Sequence, residues 1–545
     1  MSIARDAELG RLVTGARSRG LRGELRADGA IRVRGLAYDS RRVAPGDLFF
    51  ALPGTRTDGS AFVDAALAAG AVAVVCSADQ ARADLPCFAV PEGPDVLSAA
   101  GVLASAFYGD PSESFELVGV TGTNGKTSCT YLLESVWKRE GRRPGVIGTI
   151  VQRCGAFERT SAMTTPSAID VQAVLAEMAG AGCDRVAMEV SSHALDQRRV
   201  AGCRFRAAIF TNLTRDHLDY HDTEDSYFAA KASLFRLYLQ PGRGAAVLNA
   251  DDLRVGQLAL ELPGFDVWTY SCRQRRSAAA PRASVVRAQC TLAGIRAMLD
   301  LDGTRVEVVS PLVGAANLSN IVAVAAAARA LGAAPEVIGE GLSACPPVPG
   351  RMERVSVATR SGLPAGAAAP AVFVDYAHTP DALERSLRAL LPETRGRLIV
   401  VFGCGGNRDR GKRPIMGRIA GQLASLVVLT SDNPRDEKPR DIIAEIEEGI
   451  GDLLPELRPA PASGSSAAEL AAAAGRGYLV LPDREQALQT AIAAAGPDDV
   501  VMIAGKGHED YQEASGVRRS FDDRVLARHY LARCLERGGP GGGAA

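Results

Sequence analysis

One segment, residues 117–128, constrains the fold of this chain more than any other. An apolar run typical of a β-strand leads into the turn Thr-Gly-Thr-Asn-Gly-Lys-Thr, and apolar residues then recur at helical spacing until Gly141. Glycines at 122 and 125 let the backbone bend so that successive N–H groups point into one hollow at the helix N-terminus. The segment therefore predicts a strand, a phosphate-binding loop and a helix.

The side chains that follow the turn favour a nucleotide site. Lys126 would reach the terminal phosphates, and the hydroxyl of Thr127 or Ser128 would bind Mg²⁺. The common nucleotide loop has Gly where this chain has Val120, so the tighter seven-residue pattern is the more informative signal. A plain glycine turn before a helix would explain a lone Gly-x-x-Gly, but it does not explain a Lys-Thr-Ser run that opens an amphipathic helix.

Length and charge bound the class of protein. A chain of 545 residues suggests three or four domains at ~150 residues each. With 62 Lys and Arg against 63 Asp and Glu, no basic excess points to nucleic acid. The first residues lack the apolar core of a signal peptide, and no run is long and pure enough to span a bilayer, so we expect a soluble cytoplasmic protein that does not insert into membranes.

The cysteines predict reduced thiols. There are 11 of them, an odd number, scattered without Cys-x-x-Cys pairs. A chain of this size can bury its own core without cross-links. Reduced structural thiols are therefore favoured over disulfides or a zinc site.

Alternating strand and helix patterns divide the chain into three α/β domains. The first is small, the second has a mostly parallel sheet around the phosphate loop, and the third repeats a doubly wound, Rossmann-like pattern whose ligands lie at the carboxyl ends of the strands. An antiparallel insertion is expected at 272–305, an Ala-rich helix at 314–331 and a stiff hinge at 346–350. The predicted bounds are 1–112, 113–348 and 349–536, with a disordered tail at 537–545.

Several segments outside the loop hold candidate site residues. Glu189 ends an apolar run, so it can lie at the sheet edge and complete a Mg²⁺ site, although a helix-capping acid fits as well. Residues 211–221 hold two of six histidines beside acids, where a polar loop and a metal ligand at His217 are about equally supported without the phosphate loop. Lys231 has the pattern of an ordinary helix-surface lysine. Residues 38–50 and 54–59 could hold a nucleotide-like group, but plain turns between strands are favoured.

Four segments taken together resemble the Mur ligases, ATP-dependent amide-bond enzymes of peptidoglycan precursor synthesis. They are the phosphate loop, Glu-Val-Ser-Ser-His at 189–193, Thr-Arg-Asp-His-Leu-Asp at 214–219 and Asp-Tyr-Ala-His-Thr-Pro at 375–380, in this order. The similarity covers nearly the whole chain apart from the tail and the first twenty or so residues. It implies a UDP-binding N-terminal domain, a central ATPase domain and a C-terminal domain that receives the amino acid.

The resemblance implies roles for individual residues. Lys126, Glu189, His217 and Lys231 would be catalytic, and Thr127, Glu189, His217 and Lys231 would bind two Mg²⁺, with Lys231 carbamylated into a carboxylate-like ligand. ATP would contact Gly122, Thr123, Asn124, Gly125, Lys126, Thr127, Ser128, Asn320, Arg351 and Asp375. The uridine nucleotide would contact Tyr38, Ser40, Thr55, Arg56 and Thr57, and the muramoyl dipeptide Thr164, Thr165, Ser191, Gln197 and Arg199. Relatives often have Asn where this chain has Met163.

The resemblance also implies the reaction. ATP would phosphorylate the D-Glu carboxyl of UDP-MurNAc-L-Ala-D-Glu, and an amine would displace phosphate from the acyl phosphate to form the amide. These small molecules would be the only partners, and a monomer is expected. The C-terminal domain would close over the central one and exclude water.

The added amino acid is expected to be meso-diaminopimelate. In the family Asp-Asn-Pro-Arg, here residues 432–435, accompanies this substrate, because a guanidinium pairs with its distal carboxylate and would repel the bare ammonium of lysine. The implied contacts are Arg408, Asp432, Asn433, Pro434, Arg435, Gly505 and Glu509. Asn407 stands where some relatives carry Asp.

Other functions explain the sequence less well. A folate polyglutamylating enzyme or the Mur ligase that adds D-Ala-D-Ala would share the scaffold, but residues 432–435 and 505–510 weigh against both. A non-catalytic nucleotide-binding relative would have lost Lys126, Glu189, His217 or Lys231, and all four are present. A simple P-loop kinase or transport ATPase leaves the two flanking domains unexplained.

Overall fold

The computed structural model describes residues 6–53, 58–161, 163–273, 281–357, 369–458 and 466–536. Within them the chain forms three α/β units in sequence, which confirms the predicted fold class. Thr55, Arg56, Thr57 and the tail at 537–545 lie outside the described residues. Among the helices that are described, none combines the length and the apolar character needed to traverse a bilayer.

The first unit is a five-stranded sheet in the order β2-β7-β6-β5-β4, parallel except for β2. Alternating buried residues of α1 and α3 pack against one face of it. Its elements are β1 (Ala7–Glu8), α1 (Leu9–Ser18), β2 (Glu24–Arg26), β3 (Arg32–Val33), β4 (Gly35–Ala37), β5 (Asp47–Phe50), α2 (Val63–Ala68), β6 (Ala73–Ser77), β7 (Cys87–Val90) and α3 (Pro94–Phe107).

The second unit begins with the predicted strand, loop and helix. Its elements are β8 (Glu116–Thr121), α4 (Lys126–Arg139), β9 (Pro144–Ile147), β10 (Val151–Cys154), β11 (Phe157–Thr160), α5 (Ala168–Gly180), β12 (Arg185–Glu189), α6 (Ser192–Asp196), β13 (Ala207–Phe210), α7 (Leu218–His221), α8 (Glu224–Ser233), β14 (Ala245–Asn249), α9 (Leu253–Gln257), β15 (Asp266–Ser271), β16 (Ala283–Thr291), β17 (Gly294–Leu301), β18 (Thr304–Ser310), α10 (Ala315–Ala330) and α11 (Pro335–Ala344).

These strands form one 11-stranded sheet in the order β11-β10-β9-β12-β8-β13-β14-β15-β16-β17-β18. The seven strands β9, β12, β8, β13, β14, β15 and β16 run parallel to one another. At the two ends of the sheet, β10 and β11 and then β17 and β18 are added by antiparallel pairing. Helices α4, α10 and α11 bury one face, and α5, α6 and α8 cover the other. The predicted antiparallel insertion and Ala-rich helix are thus confirmed.

The third unit is a six-stranded sheet in the order β19-β20-β24-β21-β22-β23, parallel except for β19. Its two faces carry separate buried clusters, as a doubly wound sheet requires. Its elements are β19 (Glu353–Arg354), β20 (Ala371–Asp375), α12 (Pro380–Leu390), β21 (Leu398–Phe402), α13 (Lys412–Leu423), β22 (Leu426–Leu429), α14 (Pro439–Ile450), α15 (Ala467–Ala473), β23 (Gly477–Val480), α16 (Arg484–Ala494), β24 (Val500–Ala504), β25 (Tyr511–Ala514), β26 (Val517–Ser520) and α17 (Asp523–Glu536).

The expectation that all cysteines are reduced is wrong for one pair. Cys154, at the end of β10, is joined to Cys183, in the turn before β12, by a disulfide. The two are 29 positions apart in sequence. Strand β9 pairs with both β10 and β12 and so brings the two segments that carry them together. The remaining nine cysteines are not part of a disulfide.

Candidate active site

The phosphate loop lies at the carboxyl end of β8, in the middle of the central sheet. Gly122 has φ +140° and Gly125 has φ +89°, so both occupy backbone conformations that favour glycine. A Cβ atom at Gly125 would stand 2.3 Å from Oδ1 of Asn320, which shows how closely α10 approaches the loop. Gly125 directly precedes α4, so the free N–H groups of that helix face the loop.

Two lysines converge on one carbonyl oxygen of this loop. Nζ of Lys126 and Nζ of Lys231 each donate to the Gly122 oxygen at 2.9 Å, and Lys126 also donates to the Thr123 oxygen. Lys231 is 1% exposed and its ammonium lies 4.5 Å from the centre of the Tyr227 ring. Burial, reinforced by the charge of Lys126, holds the pKa of Lys231 well below its usual range. The sequence-based interpretation of Lys231 as a helix-surface lysine is therefore wrong.

Glu189 faces the phosphate loop, as its place at the end of β12 predicts. Its carboxylate accepts hydrogen bonds from the Thr127 hydroxyl at 3.0 Å and from the backbone N–H of Thr149 at 2.8 Å. The Thr149 hydroxyl adds a third contact at 3.0 Å. Glu189 is 1% exposed and does not cap a helix, so a buried carboxylate is held beside a hydroxyl at the N-terminus of α4.

The donor set at this position fits Mg²⁺. A hydroxyl and a carboxylate are hard oxygen ligands, and Mg²⁺ in nucleotide sites is held by one or two such groups together with phosphate oxygens. In the described part of the chain no group of three or more His, Cys, Asp or Glu side chains forms a complete metal site. Thr127 and Glu189 thus suit an ion that takes its other ligands from a nucleotide.

The His217 ring packs edge-on against the ring of Tyr227, which also lies near the ammonium of Lys231. His217 has φ +54° immediately before α7, and its ring also packs edge-on against His193 with centroids 4.8 Å apart. His221 and Tyr220 also contact the His193 ring, and burial lowers the pKa of His193 to about 4. The segment 211–221 is therefore a packed aromatic group beside the phosphate loop, with the His217 ring partly open to solvent.

The residues expected to hold the muramoyl dipeptide form one hydrogen-bonded cluster. Thr165 Oγ1 donates to the Glu189 carbonyl at 2.9 Å and accepts from the Ser191 N–H at 3.1 Å. Arg199 donates to the Thr165 carbonyl and to the Gln197 side chain, and Thr164 contacts Thr149 at 3.0 Å. The structure brings all five residues to the Glu189 end of β12.

The structure describes only some of the residues that are expected to contact the uridine nucleotide. Tyr38 donates from its hydroxyl to Asp170 of α5 at 3.0 Å, so the first unit meets the second at this point. Ser40 opens a single helical turn capped by the Asp39 side chain. The expected contacts at Thr55, Arg56 and Thr57 lie outside the described residues.

Residues from the third unit reach the phosphate loop. Arg351 donates from Nη2 to the Thr127 hydroxyl at 3.2 Å, and its guanidinium lies 4.5 Å from the centre of the Tyr376 ring. Asp375 accepts from the Met352 N–H at 2.6 Å and from Ser386, and burial raises its pKa. Arg351 thus contacts the loop, whereas Asp375 holds the neighbouring backbone at Met352 in place.

A second polar cluster occupies the carboxyl edge of the third sheet. Nζ of the fully buried Lys506 lies 2.9 Å from Oδ1 of Asn433 and 3.4 Å from carboxylate oxygens of Asp432 and Glu509. Asn433 donates in turn to Glu509 at 2.9 Å. Burial and the charge of Asp432 raise the pKa of Glu509. Gly505, with φ +114°, lets the chain turn beside Asp432.

Arg435 borders this cluster. It adopts φ +50°, and Nη1 donates to the Gly406 carbonyl at 2.8 Å. The Pro434 carbonyl packs so closely on Gly406 that a Cβ atom there would stand 1.9 Å from it. Arg408 lies in the same glycine turn and is exposed. The structure therefore gathers Arg408, Pro434 and Arg435 around one glycine turn, with Pro434 buried and Arg408 exposed.

Sequence reasoning missed three residues of these clusters. Thr149 supplies two of the three contacts to Glu189, Lys506 is the central cation of the second cluster, and Asp381 contacts the phosphate loop from the third unit. Lys506 lies within the run at 505–510 that the sequence had already marked, so a signal was present. Thr149 and Asp381 carry no such signal, because only the tertiary structure brings them to the loop.

Together these features define a three-domain protein with a nucleotide-type phosphate loop in its middle domain and a second polar site in its last domain. Comparison with known protein families agrees. Residues 32–108 match the Mur ligase family, catalytic domain, residues 120–328 match the Mur ligase middle domain, and residues 350–507 match the Mur ligase, glutamate ligase domain. The chain belongs to the Mur ligase family.

Individual relatives are similar over nearly their full length. A UDP-N-acetylmuramoyl-L-alanyl-D-glutamate--2,6-diaminopimelate ligase of Gloeobacter violaceus is 46% identical, covering 93% of this chain and 96% of the relative. The protein of that name from Synechococcus elongatus is 44% identical, covering 92% and 94%. A solved structure of a ligase of the same name aligns with a TM-score of 0.62 at 32% identity, over 92% of this chain and 94% of that one. MurF from Acinetobacter baumannii, at 15% identity and a TM-score of 0.59, shares the fold.

Proposed function

We propose that this protein is an ATP-dependent, ADP-forming ligase that adds meso-diaminopimelate to the D-Glu carboxyl of UDP-MurNAc-L-Ala-D-Glu, in cytoplasmic peptidoglycan precursor synthesis. The position of Glu189 carries the proposal. Its side chain accepts from Thr127 of the phosphate loop, and its backbone carbonyl accepts from Thr165 of the dipeptide cluster. One residue thus connects a site suited to a nucleotide with a site suited to an acceptor substrate, as transfer of a phosphoryl group between them requires.

ATP would occupy the phosphate loop. Gly122, Thr123, Asn124 and Gly125, with the N–H groups of the first turn of α4, would bind the phosphates, and Lys126 would leave the Gly122 carbonyl to reach them. Four residues near the N-terminus of α4 and the carboxyl end of β20 would complete the nucleotide contacts: Ser128, Asn320, Arg351 and Asp375. Mg²⁺ held by Thr127 and Glu189 would neutralise phosphate charge.

The residues of the chain would then favour each step by position. Arg199 and Gln197 would orient the D-Glu carboxylate toward the phosphate loop, and Lys126 would stabilise the charge on the transferring phosphoryl group. The incoming amine attacks the acyl carbon, and phosphate leaves with the bonding electrons of the carbon–oxygen bond. Closure of the third domain would keep water away from the acyl phosphate.

Lys231 would act as a carbamate. An ammonium that shares an acceptor with Lys126 in a buried position is unfavourable, and conversion to a carbamate replaces that repulsion with attraction to Lys126. With His217, the carbamate would hold a second Mg²⁺. Support comes from the burial of Lys231 and from its position beside Lys126, with which it shares the Gly122 carbonyl.

The first and third domains would supply the two other substrate sites. Tyr38 and Ser40, with residues 55–57, would hold the uridine nucleotide, and the domain bounds would be 1–112, 113–348 and 349–536. Arg435 and Arg408 would bind the distal carboxylate of diaminopimelate, while Glu509, Asp432 and Asn433 would accept from its ammonium near Gly505. We expect the active protein to be a monomer.

The test is a direct assay of the purified protein. With ATP, Mg²⁺, UDP-MurNAc-L-Ala-D-Glu and meso-diaminopimelate, phosphate release should match formation of a product whose mass equals the two joined substrates less water. Omission of the amino acid should abolish the product. Phosphate release that does not depend on the UDP substrate would contradict the proposal and favour a simple ATPase.

A further inference from the structure

Asp381 stands at the start of α12, the first helix of the third domain. Thr379 caps this helix by accepting from the Ala382 N–H at 3.3 Å, and Asp381 follows in the first turn. Its Oδ1 atom is held by Nε of Arg385, one turn further along, at 3.0 Å. This arrangement leaves the second oxygen, Oδ2, free to reach beyond the helix.

Oδ2 crosses to the middle domain and accepts two hydrogen bonds there. Nδ2 of Asn124, in the phosphate loop, donates at 3.2 Å, and Oγ1 of Thr214 donates at 3.1 Å. Thr214 lies in the loop that carries His217. One carboxylate oxygen of the third domain therefore contacts both loops of the proposed ATP and metal site.

The two donors belong to loops that are hydrogen-bonded to each other. The Thr214 N–H donates to Oγ1 of Thr123 at 3.0 Å, and the Asn124 N–H donates to the Asn212 side chain at 3.0 Å. The phosphate loop and the segment 211–214 are thus already joined by hydrogen bonds on both sides of Asp381. A displacement of Asp381 would therefore affect the positions of both loops.

Within the third domain, the helix that carries Asp381 packs into the hydrophobic core. Leu383, Leu387 and Leu390 of α12 are fully buried in the core of the third domain. The segment before the helix is held by Lys412, whose Nζ donates to the His378 carbonyl at 2.8 Å. The helix that carries Asp381 is thus anchored in the core of the third domain, and Asp381 is one of the residues that join this domain to the phosphate loop.

We propose that Asp381 is a positioning residue that holds the amino-acid-binding domain against the phosphate loop, and so decides whether the acyl phosphate is captured by the amine or by water. The inference rests on the proposed function. Asp381 touches neither the nucleotide nor the reacting carbon in this account, and it acts through Asn124 and Thr214.

The two fates of the acyl phosphate differ only in the nucleophile. In the productive path the amine nitrogen bonds to the acyl carbon, the bond from that carbon to the phosphate oxygen breaks, and the amine proton passes to solvent. In the wasteful path a water oxygen forms the bond, the same bond breaks, and the D-Glu carboxylate and inorganic phosphate are regenerated. Both paths consume one ATP, so the ratio of phosphate released to amide formed reports which path was taken.

The test compares this ratio in three variants. Asp381→Ala removes both contacts, and Thr214→Val removes one while leaving α12 unchanged. Arg388→Ala, an exposed position on the same helix that pairs with Glu384, is the matched control. The reaction is run with ATP, UDP-MurNAc-L-Ala-D-Glu and diaminopimelate, and phosphate and amide are measured together.

We expect the unchanged protein and Arg388→Ala to release one phosphate per amide. Asp381→Ala should lose at least roughly tenfold in the rate of amide formation, the factor expected for the loss of hydrogen bonds to a charged group. Its phosphate release should fall much less, so that the ratio rises several-fold, and Thr214→Val should shift the ratio in the same direction by a smaller factor.

Two results would overturn the inference. One is a ratio of one in both Asp381→Ala and Thr214→Val. The other is an equal loss of phosphate and amide with a lowered melting temperature in Asp381→Ala alone, which would give Asp381 only a structural role. A wild-type protein that forms no amide would instead contradict the proposed function. Energy transfer between dyes on the middle and third domains would then decide separately whether Asp381→Ala moves them apart.

Discussion

The ammonium groups of Lys126 and Lys231 share one acceptor, the carbonyl oxygen of Gly122, with both distances at 2.9 Å. Two cations held this close repel each other, and Lys231 is buried where water cannot screen the repulsion. A positive charge on Lys231 is therefore unfavourable unless a negative group balances it. A carbamate on Lys231 would replace that positive charge with a negative one.

The first prediction concerns Lys231. Lys231→Ala should lower kcat by ~10²–10³-fold, as removal of one electrostatic stabiliser does in other enzymes. Short carboxylic acids added to the assay should restore part of the activity by occupying the vacated space. Mass spectrometry under mild conditions should show the added mass of one CO₂ on the unchanged protein. Full activity of Lys231→Ala would remove the carbamate from the mechanism.

The second prediction concerns the selectivity of Arg435. Arg435→Ala should raise KM for diaminopimelate by roughly 10–100-fold, the equivalent of a charged hydrogen bond of about 1.5–3 kcal/mol. KM for ATP should change little, because Arg435 lies in the second polar cluster and not at the phosphate loop. Arg435→Lys, which keeps the charge but not the paired geometry, should recover only part of the loss. An equal rise in both KM values would argue against a selective role.

The third prediction concerns pH. Burial and the charge of Asp432 raise the pKa of Glu509, so its carboxylate gains a proton at a higher pH than an ordinary glutamate. Binding of the distal ammonium requires the charged form, and kcat/KM for diaminopimelate should therefore fall as the pH falls through this raised pKa. Glu509→Gln should have a lower kcat/KM and a flatter acid limb.

Glu513→Gln is the matched control for that experiment, since Glu513 is a neighbouring acid whose side chain pairs with Arg518 at 3.3 Å. Its profile should follow that of the unchanged protein. An acid limb that persists in Glu509→Gln would assign the titration to another group.

The fourth prediction concerns stability of the third domain. Arg484 and Asp523 form a completely buried ion pair at 2.7 Å, and Arg484 also donates to the Ala504 carbonyl at the end of β24. Asp523→Asn should leave the guanidinium buried without its counter-charge and lower the free energy of unfolding by about 3–5 kcal/mol. Urea unfolding followed by circular dichroism measures this change.

A surface pair provides the comparison. Arg139 and Glu340 are more than half exposed, so Glu340→Gln should leave the unfolding transition unchanged. Similar effects of the two substitutions would mean that burial does not determine the strength of the Arg484 pair.

The sequence predicted the frame of this site better than its details. The strand, loop and helix around Gly122 and Gly125 are local, because the glycines, the lysine and the apolar spacing lie within one short segment. Glu189 was also predictable, since the end of a parallel strand must lie at the same edge as the loop. In both cases the information is carried by neighbouring residues.

The rest depends on contacts between distant segments. Lys231 looked like a surface residue because nothing near it in sequence shows that α8 packs this face against the phosphate loop. Cys154 and Cys183 are brought together only by the pairing of β9 with β10 and β12. Asp381 reaches Asn124 across 257 positions of sequence, a separation at which no spacing rule applies.

The measurement that tests the central claim most directly is phosphate release from ATP with UDP-MurNAc-L-Ala-D-Glu, compared for meso-diaminopimelate, L-lysine and no amino acid. Phosphate release should be coupled to amide formation with diaminopimelate alone, because only this substrate offers a distal carboxylate to Arg435. Equal or faster amide formation with lysine would contradict the role of Arg435, and absence of amide with every amino acid would contradict the proposed ligase reaction itself.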